Sequence, residues 1–178
     1  MNLYFRFFTM MLTSWFKSAV DVFEPFTSKH IVWPTDLDLL GHINNGRYFT
    51  ITDNVRVEMM IRAGLWQAIR KEKFYPVIAG EMAQFRKPLL PFQRYEIVTR
   101  FSGWDDKFFY VEHTFKSKRG VHALLMVKIR IISDSERRIS PKEMLELIPD
   151  ANVDAINVCH IVDKWNESSM DHWQQLSR

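Results

Sequence analysis

Between Trp33 and Tyr48 the chain reads W-P-T-D-L-D-L-L-G-H-I-N-N-G-R-Y. That stretch sets two carboxylates (Asp36, Asp38), one imidazole (His42) and two side-chain amides (Asn44, Asn45) beside two glycines (Gly41, Gly46). A carboxylate and an imidazole so close in sequence can take up a proton and give it back. A long amphipathic run starts where the stretch ends, and short polar residues at such a junction serve the unpaired amides of a helix's first turn. Those amides can also hold an anion, or the negative charge that grows on a carbonyl oxygen under attack. Spacing alone suits a well-capped loop without chemistry equally well, so both readings stand.

The elements that must position this stretch follow from periodicity. Phe26 to Trp33 reads as a strand, stopped by Pro34. From Asn45 to about Lys71, Tyr48, Ile51, Val55, Met59, Trp66 and Ile69 recur at helical spacing and predict one apolar face. Arg47, Arg56, Glu58, Arg62 and Arg70 mostly fall elsewhere, Glu58 and Arg62 are placed to pair, and Gly64 marks a bend. After Tyr75-Pro76 a strand is expected over Val77 to Pro88, then a stiff P-L-L-P connection at 88–91. Tyr95 to Trp104 alternates, and Lys107 to Ser117 carries Phe109, Val111, His113 and Phe115. A long strand is expected from Val121 to Ser133, and the turns at Asp105-Asp106 and Lys118-Arg119-Gly120 imply an antiparallel meander.

Ser140-Pro141-Lys142-Glu143 has the form of a capping box and predicts a helix to about Ile148; a last helix is expected near Asp163 to Leu176. The class is α+β. One long helix can cover a concave sheet face if the sheet curls around it, so the other face and the edges need terminal helices or a second subunit.

Composition narrows the rest. The chain has 178 residues, 47% of them hydrophobic and 14% aromatic, which excludes a disordered chain and suits one domain. A net charge of +3, from 24 basic and 21 acidic residues spread along the chain, gives no reason to expect nucleic acid. The single Cys159 excludes an internal disulfide and suits a reducing, cytoplasmic setting. No metal is expected, because the histidines at 30, 42, 113, 122, 160 and 172 lack ligand-like spacing.

Residues 1–16 form an apolar run that Arg6 interrupts. The run is too short for a span of about 20 residues. Leu3, Phe7, Met10, Met11 and Ser14 recur near helical spacing, which suits an amphipathic helix packed on the domain or a peripheral membrane contact. The expected division is a segment over 1–20 and one domain over 21–178.

The motif D-L-D-x-x-G-H-x-N-N-x-x-Y at a strand-to-helix junction, in this order of elements, resembles the hotdog-fold acyl thioesterases of the 4-hydroxybenzoyl-CoA thioesterase type and the plant acyl-carrier-protein thioesterases. Asp36, Asp38, Gly41, His42, Asn44, Asn45 and Tyr48 carry the match. Gly103-Trp104-Asp105-Asp106, Phe109-Tyr110-Val111-Glu112 and Trp165-Asn166-Glu167-Ser168-Ser169 resemble the thioesterase superfamily member six group. The resemblance runs from about residue 22 to 175.

It implies a hotdog fold of about five strands curled around one central helix, acting without a cofactor as a homodimer or tetramer. The substrate it implies is an acyl thioester of coenzyme A or of acyl carrier protein. Asp38 takes the position of the family's reacting carboxylate, as nucleophile or general base, and the Asn45 amide that of the oxyanion donor. His42 matches a histidine of the plant enzymes, although Leu40 stands where their pattern has asparagine. Asp36, Gly41 and Asn44 would support the loop. Asp53, eight residues after Asn45, matches a carboxylate used by another branch, although its spacing favours pairing with Arg56 or a neighbouring strand. Arg86, Lys87 and Arg94 are candidates for phosphate contact. The rival expectation is a non-catalytic acyl-CoA or lipid-binding protein at a membrane surface.

Overall fold

In the computed structural model, residues 3–147 and 161–168 are described. The N-terminal run forms helix α1 (Leu3–Ser14), and β1 (Phe26–Ile31) follows. A short 3-10 turn at Pro34–Asp36 leads into helix α2 (Asn45–Arg62). Gly64 adopts a left-handed conformation (φ 75°), which separates α2 from α3 (Leu65–Lys71). The expected bend is therefore a break.

Four long strands follow: β2 (Phe74–Phe85), β3 (Arg94–Trp104), β4 (Phe109–Ser117) and β5 (Gly120–Ser133). A two-residue β6 (Arg138–Ile139), not expected from the sequence, precedes α4 (Pro141–Leu145). Residues 161–168 form a further helix, α5. The remainder of the two C-terminal helices expected from sequence, and Cys159, lie outside the described residues.

Three strands form the expected meander, but β2 does not pair with β3. The order is β1-β3-β4-β5-β2, with β6 attached to β5. Because β2 is an edge strand, Pro76 fits inside it: a proline without an N–H is tolerated where no neighbour needs that donor. The strand therefore starts three residues before the expected Val77, through the Tyr75-Pro76 pair that reads as a break. Register shifts between Ile78 and Gly80, Phe101 and Gly103, and Phe115 and Lys116 bend the sheet, as bulges do.

The curl encloses α2. Tyr48, Ile51, Val55 and Met59 pack with Tyr95, Ile97, Phe115, Ala123 and Leu125 in the main core. A second cluster joins Ile69 and Phe74 to Phe109, Ile131, Met144 and Leu145 under α3 and α4. The opposite sheet face is covered by α5, whose Val162 and Trp165 meet Tyr110, Met126 and Met82. Here the two C-terminal sequence blocks meet. Asp105 accepts from the amides of Lys107 and Phe108 at 2.7 and 2.8 Å and from the Tyr110 hydroxyl at 2.6 Å. Asn166 donates to Tyr110 Oη at 2.7 Å and accepts from Lys128 Nζ at 2.8 Å. A side chain at Gly80 would start 3.2 Å from the Trp165 ring, so the glycine lets α5 approach closely where a larger residue would press on that ring.

α1 lies against α2. Ser14 is buried and Phe7, Met10 and Met11 are half-buried, whereas Tyr4, Phe5, Phe8, Leu12, Trp15 and Phe16 are exposed. Lys17 then bridges to Glu58 at 2.7 Å, and Arg62 joins the same carboxylate at 3.3 Å, the pair expected from spacing. Arg56 and Glu58 are nonetheless buried, against expectation, because α2 is covered on more than its apolar face.

His30 on β1 stacks on Tyr95 with centroids 5.4 Å apart and meets Ser28 Oγ at 2.8 Å. Burial, with the nearby charges of Arg6 and Lys17, lowers its pKa from 6.5 to about 4. Between those values the unfolded chain binds the extra proton, so stability declines as pH falls from 6.5 towards 4. Urea unfolding at steps of pH should show this decline, and it should be shallower in His30→Gln.

Candidate active site

The residues from Trp33 to Asn44 fold back on themselves. Asp36 N–H donates to the Trp33 carbonyl at 2.8 Å, Asp38 N–H to the His42 carbonyl at 2.9 Å, and Gly41 N–H to the Asp38 carbonyl at 3.1 Å. Leu37 and Ile43 form an antiparallel bridge that closes the neck. At the tip, Gly41 takes φ 77°, which a side chain would strain, while Leu39 and Leu40 stand in solvent.

This geometry places Asp38 and His42 side by side. Asp38 Oδ1 accepts the Leu40 amide at 2.8 Å, and Oδ2 lies 3.4 Å from His42 Nδ1. Their side chains are 24% and 31% exposed, so both reach solvent from a backbone that is held. Asn44 caps α2: its Oδ1 accepts the Gly46 amide at 2.9 Å and its carbonyl the Arg47 amide at 2.9 Å. The Asn45 amide, between Asn44 and Gly46, is not one of the two that Asn44 accepts. Polar helix-start geometry of this kind stabilises negative charge in front of it.

Asp36 is spent on structure. Its two oxygens lie 3.0 and 2.9 Å from Arg6 Nη1, one also accepts the Trp33 amide at 3.1 Å, and the side chain is 3% exposed. The connection between Arg86 and Arg94 meets the loop at Leu89, whose carbonyl accepts the Ile43 amide at 3.1 Å, and the Arg86 and Lys87 amides donate to the His122 carbonyl at 2.8 and 3.2 Å. Lys87 is engaged with the Arg119 carbonyl at 2.9 Å, while Arg86 and Arg94 are exposed.

Asp53 belongs to a second constellation, of which the sequence offered the Asp53–Arg56 pair but neither Glu81 nor His113. Arg56 bonds Asp53, lies 3.7 Å from Glu81 on β2, and donates to His113 Nε2 at 3.1 Å. An arginine can only donate, so Nε2 is unprotonated and Nδ1–H faces Thr99 Oγ1 at 2.9 Å. Burial raises the pKa of Asp53 and of Glu81 against the opposing pull of Arg56, and burial lowers that of Arg56. His113 is held well below its usual value by burial and then by Arg56. The available signal was Arg56 three residues after Asp53; Glu81 and His113 join only through the sheet. Around the capping box, Ser140 accepts from Glu143 N–H at 3.2 Å, but the Glu143 carboxylate turns to Arg137 at 2.8 Å instead of closing the box.

Solved structures share this architecture. YbaW, a probable thioesterase from Escherichia coli, superposes with a TM-score of 0.63 at 17% identity over 68% of this chain and 97% of that one. BH1999, a gentisyl-coenzyme A thioesterase, gives 0.60 at 20% identity over 68% and 99%. The fold is thus an α+β hotdog. A family model described as the thioesterase-like superfamily matches residues 32–148, and the chain belongs to that family. Protein THEM6 of Xenopus laevis is 36% identical over 121 residues, which span 67% of this chain and 58% of that protein. Probable thioesterase YBR096W of Saccharomyces cerevisiae is 32% identical over 116 residues, or 64% and 50%. The chain therefore spans little more than half the length of these curated relatives.

Removing the Arg56 side chain leaves Asp53 and Glu81 near each other without their shared cation. Arg56→Ala should lose about 2 kcal/mol in urea unfolding, less than a fully buried pair would lose, because both carboxylates keep some solvent.

Proposed function

We propose that this protein hydrolyses an acyl thioester, with Asp38 as general base or nucleophile. The observation that carries the reading is a solvent-reaching Asp38–His42 pair on the hydrogen-bonded loop that runs into the α2 start, where Asn44 accepts the Gly46 and Arg47 amides and not that of Asn45. In the general-base form, Asp38 takes a proton from water as the oxygen attacks the thioester carbon. The Asn45 amide stabilises the tetrahedral oxyanion, and its collapse expels the thiolate, which takes up the proton. His42 orients or shares that proton. Asp53 is the weaker candidate because Arg56 already binds its carboxylate.

Fatty acyl-coenzyme A is the first substrate class and aryl-coenzyme A the second, with an acyl-carrier-protein thioester as the other carrier. Exposed Leu39 and Leu40 beside Asp38 favour an apolar acyl group there. We read the protein as a homodimer, and the exposed Tyr75, Val77 and Ile78 on edge strand β2 support pairing with a second copy. The rival reading, an acyl-binding protein without turnover, would keep the fold and the apolar residues but would not need Asp38.

A thiol-release assay on decanoyl-, palmitoyl- and benzoyl-coenzyme A decides between them. Asp38→Asn should lower kcat by at least about 100-fold with the dimer intact on gel filtration, as expected when a general base is removed. Asp53→Asn should retain most turnover. Binding without hydrolysis by the unaltered protein would favour the acyl-binding reading.

The outward face of α1 supports peripheral contact with a membrane from the cytoplasmic side, since its exposed aromatics share one side of the helix. No helix among the described residues is long and apolar enough to cross a membrane. Phe8→Ser/Leu12→Ser/Phe16→Ser should reduce co-sedimentation with phosphatidylcholine–phosphatidylserine liposomes; unchanged sedimentation would sink the contact.

A further inference from the structure

Arg6 breaks an otherwise apolar helix, and the structure gives that break a purpose. Its side chain is only 10% exposed, and its Nη1 lies within 3.0 Å of both oxygens of Asp36, thirty residues away. Asp36 in turn joins three elements. Its carboxylate accepts from Arg6 of α1 and from the Trp33 amide just beyond β1, while its carbonyl accepts the Asn44 amide at the cap of α2. Asp38 follows two residues later, and Leu37 between them is clamped to Ile43. Arg6 lies outside residues 32–148, the span matched by the family model, so this contact comes from an extension beyond the matched part of the fold.

We propose that Arg6 is a positioning residue for hydrolysis: acting through Asp36, it holds the Asp38–His42 loop and the Asn44 cap in one arrangement. The proposal rests on the reading of Asp38 as the reacting carboxylate. Without Arg6, an almost fully buried carboxylate keeps the Trp33 amide as a donor but loses its charged partner, and a charge so placed moves towards water. Moving Asp36 displaces both the Asn44 amide that its carbonyl holds and the loop that continues to Asp38. Displacement of a reacting group by about 1 Å can cost about 100-fold in rate, so the defect belongs in kcat more than in KM.

The test compares Arg6→Met, Asp36→Leu, their double variant and Arg6→Lys in the thiol-release assay on decanoyl- and palmitoyl-coenzyme A. Lys17→Met is the control, because it loosens α1 at its other end by removing the bridge to Glu58. Arg6→Met should lower kcat at least about tenfold with KM within about twofold, as expected for a misplaced reacting group. The double variant should be no worse than Arg6→Met, as expected for two residues acting as one unit, and Arg6→Lys should recover part of the loss. Lys17→Met should lower the melting temperature and leave kcat unchanged.

An unchanged kcat in Arg6→Met, additive losses in the double variant, or an equal kcat loss in Lys17→Met would each overturn the proposal. If Arg6→Met does not fold, Arg6→Lys and Asp36→Asn carry the same comparison. Asp38→Asn, run alongside, separates the two ideas. Full turnover in that variant removes the catalytic reading and the positioning role with it, whereas an inactive Asp38→Asn beside a normal Arg6→Met removes the positioning role alone.

Discussion

One constraint shapes the molecule: α2 must be buried against a single curled sheet although its sequence is not apolar all round. The sheet accepts Tyr48, Ile51, Val55 and Met59, and bulges supply the curvature that wraps it around them. The polar residues carried inward on α2 then need partners. Arg56 finds His113 and the two carboxylates, and Glu58 finds Lys17 and Arg62. Buried charge is tolerated only when paired, so these contacts follow from the burial of the helix.

The candidate site lies where this helix begins. A helix seated in a sheet has a fixed direction, and its first amides therefore face a fixed point. The loop from Trp33 to Asn44 runs directly into that start, closed at its neck by the Leu37–Ile43 bridge and anchored by Asp36. Asp38 and His42 project from a short, hydrogen-bonded turn, which is the kind of support a reacting group requires. The same logic separates the two carboxylate sites. Asp38 lies beside an imidazole and the Leu40 amide, whereas Asp53 is bound by an arginine that keeps its charge.

Local signals were readable where they are periodic or punctuated. The face of α2, the alternation in β3 and β4, the two tight turns, the break at Gly64 and the Glu58–Arg62 pair all follow from spacings of a few residues. The start of β2 was misread because Pro76 stops a central strand but not an edge strand, and edge position is a property of the sheet. The capping box at Ser140 was half right for a related reason. Glu143 has a choice of partner, and Arg137, brought close by the β6 turn, takes it.

The sequence by itself determined the element types, the loop that carries Asp36, Asp38 and His42, and the cap at Asn44, because each depends on neighbours within a helical turn or a tight turn. Only the tertiary structure decided which charges are buried and with whom. Arg6 meets Asp36 across thirty residues, and Arg56 meets His113 across fifty-seven. No periodicity encodes such a pair. Its cost and its gain appear only when the chain has closed around both groups and water has been removed, so the partner of a buried charge is settled by packing.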